Sequence, residues 1–195
     1  MTKLAQPVLD QLFFQARTHN KWLPRDVPDQ LLHDLANMLK MGPTSVNCSP
    51  ARIIFIKSDA AKARLQPFLS QGNRAKTMTA PVCAVIGTDS EFYEHLPKLF
   101  PRADARSWFV GKPAHSETTG FRNSTLQGAY LILAARALGL DTGPMSGFDN
   151  AALDQEFFPS GKVKSNFLCA LGYGDAAGIS PRAPRFEFSQ FCTIA

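Results

Sequence analysis

Apolar residues at Ala5, Val8, Leu9, Leu12, Phe13 and Ala16 recur at three-and-four spacing and predict an amphipathic helix over Leu4 to Arg17. A second stripe, Leu31, Leu32, Leu35, Met38 and Leu39, predicts a helix that starts near Pro28 and stops at Gly42-Pro43. Unbroken apolar runs at Ile53 to Ile56, Val82 to Ile86 and Phe167 to Tyr173 read as strands, the first two buried on both faces. Ala60 to Leu69 reads as a helix with Asp59 as a cap. The most apolar helix of the chain carries Leu126, Ala129, Tyr130, Leu133, Ala134, Ala137 and Leu138 and is closed by Gly139. A short helix is expected near Ala151 to Phe157, while segments 44–50 and 141–148 and the tail read as loops and turns. From Asp89 to Ser116 the periodicity gives way to aromatic residues mixed with Pro and charge. An irregular stretch of that length is uncommon unless functional, which makes it a candidate lid.

With 195 residues the chain suits one domain, and 45% hydrophobic against 19% charged residues excludes disordered and low-complexity classes. The apolar stretch Ala129 to Ala135 is far below the ~20 residues of a membrane span, and Met1 to Asp10 lacks a signal-peptide core, so a cytoplasmic protein without membrane contact is expected. The net charge of +5 comes from basic residues scattered among acidic ones. One or two anion sites, such as those for a small phosphorylated ligand, explain that balance better than nucleic acid does. Cys48, Cys83, Cys169 and Cys192 form no CxxC pair and the histidines no HExxH, which argues against a disulfide framework and a zinc site.

Gly172-Tyr173-Gly174-Asp175-Ala176-Ala177 matches a dinucleotide fingerprint in letters only. Pro181 interrupts any following helix, and too little chain remains for the ~30-residue βαβ unit that the fingerprint requires. What remains are loops at 17–21, 42–50, 142–148 and 180–185. They supply arginines for a phosphate, amide and hydroxyl groups for a heterocycle edge, and glycines that let backbone N–H groups approach a ring.

Three of these loops carry a resemblance: Ala16-Arg17-Thr18-His19-Asn20, then Pro43-Thr44-Ser45-Val46-Asn47-Cys48-Ser49-Pro50, then Gly139 to Asp149. Together they resemble the nitroreductase family of flavin enzymes, from about Phe13 to about Phe188. The resemblance implies an α+β fold, a mixed β-sheet flanked by helices, in a homodimer with flavin sites at the interface. It also implies FMN as cofactor, NADPH or NADH as co-substrate, and ping-pong kinetics. Arg17 and Arg182 look like the phosphate ligands, with Thr18 and His19 beside them, and Asn47 resembles the residue that reads the ring's polar edge. Pro144, Met145, Ser146 and Gly147 occupy the turn whose N–H groups approach the reactive edge of the flavin. Ser146 stands where relatives often have an acidic residue, and Lys21 is a candidate for a basic residue found near the ring. No side chain is nominated as a general acid or as a metal ligand.

Segments 89–94, 104–109 and 121–124 resemble the malonic semialdehyde reductase branch, which implies reduction of 3-oxopropanoate to 3-hydroxypropanoate. Arg106 and Trp108 are then candidates to clamp a substrate carboxylate. The bland alternative pairs Arg106 with Asp104 or Glu91 and lets Trp108 pack. Nitroaromatic or quinone reduction, and flavin binding without turnover, are the competing functions.

Overall fold

The computed structural model describes residues 2–195. Its centre is a four-stranded sheet of order β1-β2-β4-β3, made of Ala51–Ile56 (β1), Val82–Asp89 (β2), Asp141–Met145 (β3) and Val163–Gly172 (β4). All three ladders are antiparallel. The sheet is therefore antiparallel rather than mixed, and a parallel contact occurs as an isolated bridge beside it, Thr18 to Thr142. Alternation along β2 sends Val82, Ala84 and Ile86 to a core shared with Leu35, Leu131 and Ala135. Cys83 and Val85 point the other way, to a core shared with Leu65, Leu153 and Phe158. Because both faces are covered, the strand is written as a continuous apolar run.

The first face is covered by Asp29–Leu39 (α2) and by the 25-residue Pro113–Ala137 (α6). The second is covered by Asp59–Leu65 (α3) and Asn150–Phe157 (α7). Between α3 and β2 lies Gln71–Thr79 (α4), a helix so polar that no apolar stripe announces it. At the N-terminus, Gln6–Leu9 (α1) runs into a π-helical turn over Asp10–Phe14, so the regular helix expected to Arg17 ends early. Ser58, not Asp59, caps α3, accepting from Ala61 N at 3.2 Å.

Two expectations about extent are corrected. The turn expected at 141–148 begins as strand β3, whose edge position tolerates Pro144, a residue with no N–H to give the ladder. The central helix starts at Pro113, so it takes in the end of the 89–116 excursion. The rest of that excursion is the short helical turns Phe92–His95, Leu96–Leu99 (α5) and Ala105–Trp108. They pack Phe92, Leu96, Ala105 and Phe109 with Cys48 into a separate small core. No helix among the described residues is long and apolar enough to cross a membrane.

Candidate functional site

Arg17 and Arg182 lie at opposite ends of the sequence and meet in one cleft of about 430 Å3. Arg17 donates to the carbonyl of Ser180. In return, Arg182 Nη2 donates to the carbonyls of Phe14 at 2.6 Å and Ala16 at 3.0 Å. Each guanidinium carries five donors, so these bonds orient both groups and leave others free. Thr18 also lines the cleft, as do Arg136 from the end of α6 and Arg185 from the tail. No carboxylate lines it. Burial lowers the pKa of Arg136, and the nearby charge of Arg182 pushes the same way while Asp141 opposes it. Four arginines around one cleft suit a phosphate dianion, whose charge they would offset. The donor set thus fits the phosphate end of FMN. Arg136 and Arg185 were not singled out from the sequence, since nothing in their local pattern distinguishes them from solvated arginines.

His19 behaves differently from its neighbours. Its side chain turns inward, 5% exposed, with Nε2 3.2 Å from Asp141 Oδ1. Its backbone N–H donates to Thr142 O at 3.0 Å, which fastens the arginine turn along the open side of β3. Lys21 is exposed, and its aliphatic stem packs on the tail at Gly178.

The 144–147 turn follows directly from that strand. Met145 is buried, with Thr77 Oγ1 3.3 Å from its sulfur, whereas Ser146 is exposed. Gly147 is needed for close approach to α4: its carbonyl accepts from Ser70 N at 3.0 Å and Asn73 Nδ2 at 2.8 Å, and an added Cβ would sit 2.7 Å from that amide nitrogen. Ser70 and Asn73 were also missed, because α4 has no apolar periodicity to place it.

Asn47 lies elsewhere. The 43–50 loop holds three non-glycine residues at positive φ, Val46 at 46°, Asn47 at 54° and Ser49 at 40°. For a β-branched valine that conformation is strained. Side chains of α6 secure it: Asn123 Oδ1 accepts from Ser45 N at 2.8 Å, Gln127 Oε1 accepts from Ala51 N at 2.8 Å, and Tyr130 donates its hydroxyl to Pro43 O at 2.9 Å. Asn47 itself is exposed and donates to Leu99 O at 2.9 Å. Asn123 and Arg136 are thirteen residues apart on one helix, about 20 Å along its axis, and Tyr130, which anchors Pro43, is about 9 Å from Arg136 by the same measure. One chain therefore holds the 43–50 loop along the middle of α6 and the arginine cleft at its C-terminal end.

Arg106 forms a two-pronged pair with Glu94, 2.7 Å on each prong, rather than with Asp104 or Glu91. Trp108 is 43% exposed, tilted against Phe100. The excursion, the start of α6 and the end of β2 enclose a second cleft of about 950 Å3, lined by Glu91, Tyr93, Phe109, Phe121 and Arg122 among others. Cys48 is buried, and burial pushes its thiol up to about 11, which keeps it protonated.

Comparison with known proteins gives this geometry a lineage. The sequence profile of the nitroreductase family matches residues 14–174. A protein of Burkholderia lata, provisionally named NADH dehydrogenase/NAD(P)H nitroreductase, is 62% identical over 194 residues, spanning all of both chains. One of the same provisional name from Polynucleobacter asymbioticus is 56% identical, covering 98% of this chain and 97% of its own. A provisionally named nitroreductase of Exiguobacterium sibiricum, solved in complex with FMN, superposes with TM-score 0.86 at 18% identity over the full length of both chains. At that identity the superposition speaks for the fold, while the profile and the close relatives speak for descent: the chain belongs to the nitroreductase family.

Proposed function

We propose that the protein is an FMN-dependent NAD(P)H oxidoreductase of the cytoplasm, working as a homodimer with a flavin site at each end of the interface. The observation that carries this reading is the arginine cleft without a carboxylate, assembled from both ends of the chain. Arg17 and Arg182 would hold the phosphate, with Thr18 beside them, and residues 144–147 would present backbone N–H groups to the ring. Bound FMN would supply hydride transfer between the nicotinamide and an organic acceptor. Pairing α6 antiparallel with its copy about a twofold axis would carry the partner's 43–50 loop towards this chain's cleft. Exposed Phe121 and Leu126 on α6 supply apolar surface for that contact.

For the acceptor, we propose 3-oxopropanoate. The three segments that resemble the malonic semialdehyde branch all contribute to the 950 Å3 cleft, and the 89–112 excursion would act as its lid. Arg106 and Trp108 sit in that excursion, and a substrate carboxylate would have to displace Glu94 to reach the guanidinium. A broad nitroaromatic or quinone acceptor range is the second reading, favoured by the names of the close relatives. Anaerobic addition of NADH or NADPH to the purified yellow protein tests the first claim. Bleaching of the flavin absorbance is expected, and an unchanged spectrum with both nucleotides rejects the oxidoreductase reading. Reoxidation rates with 3-oxopropanoate, a nitroaromatic and a quinone then rank the acceptors.

A further inference from the structure

We infer that Asp141 is a positioning residue that keeps the two halves of the arginine cleft in register, acting through His19 on one side and Gly174 on the other. Its consequence for FMN rests on the function proposed above, whereas the coupling itself rests on the geometry of the chain alone.

Asp141 opens β3 immediately after α6 and its closing turn. Its two oxygens serve two segments: Oδ1 is 3.2 Å from His19 Nε2, and Oδ2 accepts from Gly174 N at 2.8 Å. His19 belongs to the turn that carries Arg17. Gly174 begins the segment that leads to Ser180 and Arg182. From Gly174 the two segments stay paired, with Asp175 N donating to Lys21 O at 3.0 Å and Leu23 N donating to Tyr173 O at 2.8 Å. The carboxylate therefore sits where N-terminal turn, C-terminal segment and sheet converge.

The chemistry of the pair fixes the histidine. A carboxylate can only accept, so Nε2 bears the hydrogen that it donates to Asp141. His19 Nδ1 is buried and has no hydrogen-bond partner, and it faces Gly174 so closely that an added Cβ there would overlap the imidazole. Removing the carboxylate would therefore take from the buried His19 imidazole and from the Gly174 N–H the partner that they share.

The test compares Asp141→Ala and Asp141→Asn with Asp154→Asn. Asp154 is a carboxylate more buried than Asp141 that accepts from Ser165 N at 2.8 Å on the far face of the sheet. Three measurements apply: hydrogen exchange of the flavin-free protein, ¹⁵N shifts of the His19 ring at pH 8, and FMN dissociation constants by fluorescence quenching. Asp141→Ala should speed exchange at least tenfold over residues 16–20 and 173–182, leave β2 protected, and weaken FMN binding about tenfold. Asp141→Asn should move the His19 hydrogen to Nδ1, because the amide offers its N–H to Nε2 while its oxygen keeps Gly174. Asp154→Asn should do none of this. Exchange and FMN affinity within twofold of wild type in Asp141→Ala, or changes that Asp154→Asn reproduces, overturn the assignment. If wild type binds no FMN, the cofactor reading falls, and exchange with the ring shifts decides the coupling by itself.

Discussion

The arginine cleft draws on both ends of the chain and is closed by guanidinium groups donating to backbone carbonyls, whereas the Asn47 loop is a continuous stretch of eight residues held by side chains of one helix. The cleft gathers charge that only an outside anion can offset. The loop stores strain instead, at ~1–3 kcal/mol for a residue in a disfavoured backbone region. Its anchors on α6 offset that strain. Both regions present groups that the chain's own contacts do not fully use, and the loop's anchors on α6 lie about 9 to 20 Å along the helix from Arg136. On the function proposed above, the difference teaches that each would be half of a site: one half would grip, the other read, and the halves would come from different copies of the chain.

The largest effect should come from separating the halves genetically. Arg17→Ala alone removes a charge-assisted phosphate contact and should weaken FMN retention by ~1.5–3 kcal/mol, roughly ten- to 150-fold. Asn47→Ala should impair the opposite half. Coexpressed with different tags, the two variants form a heterodimer in which one site has both lesions and the other has neither. Titration should then find one FMN site per dimer at wild-type affinity. A heterodimer no better than its parents would place both halves in the same chain and break the comparison.

Much of this division was legible in the sequence, but unevenly. The interleaved strands were visible because β2 and β4 are apolar on both faces, and the 43–50 loop because its small polar residues interrupt two periodic segments. The arginine turn was found by family resemblance, since Arg17 by itself reads as an ordinary helix-end residue. Asp141, Arg136 and Asn73 went unread for a common reason. Each acts on residues remote in sequence, across the sheet or between helix and strand, and no local spacing records such a contact. The first half of α6 was hidden too, because Ser116, Asn123 and Ser124 are polar yet buried, satisfied by hydrogen bonds that a hydrophobicity pattern does not register.

Asn123 sharpens the contrast at an intermediate scale. Its Oδ1 is the acceptor for Ser45 N, and its own amide is satisfied by Thr119 O at 2.8 Å. In Asn123→Ala the Ser45 N–H loses its acceptor, a cost of ~1–3 kcal/mol, or roughly 2–4 °C of melting temperature per kcal/mol in a chain of this size. Arg136 of the arginine cleft lies about 20 Å further along the helix, so loss of stability in the flavin-free protein should come without a change in residues 16–20 or 173–182 on hydrogen exchange. Faster exchange there would show that the two regions are coupled within one chain.

Arg106→Ala should have the smallest effect on folding and asks a sharper question of function. Both partners of the Arg106–Glu94 pair are 43% exposed, and pairs so open to solvent add little to stability. The hydrogen bonds from Arg106 hold the Glu94 carboxyl below its ordinary pKa, and those to Glu94 hold the guanidinium above its own. The small stabilisation is therefore present at neutral pH and fades as acid protonates Glu94, so wild type and variant should converge in melting temperature as pH falls through the carboxylate range. If the guanidinium leaves Glu94 to take a substrate carboxylate, Arg106→Ala raises KM for 3-oxopropanoate while leaving KM for an uncharged nitroaromatic in place. Equal KM values for both acceptors in variant and wild type would make the pair a surface clasp. The substrate carboxylate would then have to be recognised by a cation that lines the 950 Å3 cleft, as Arg122 does and Arg106 does not.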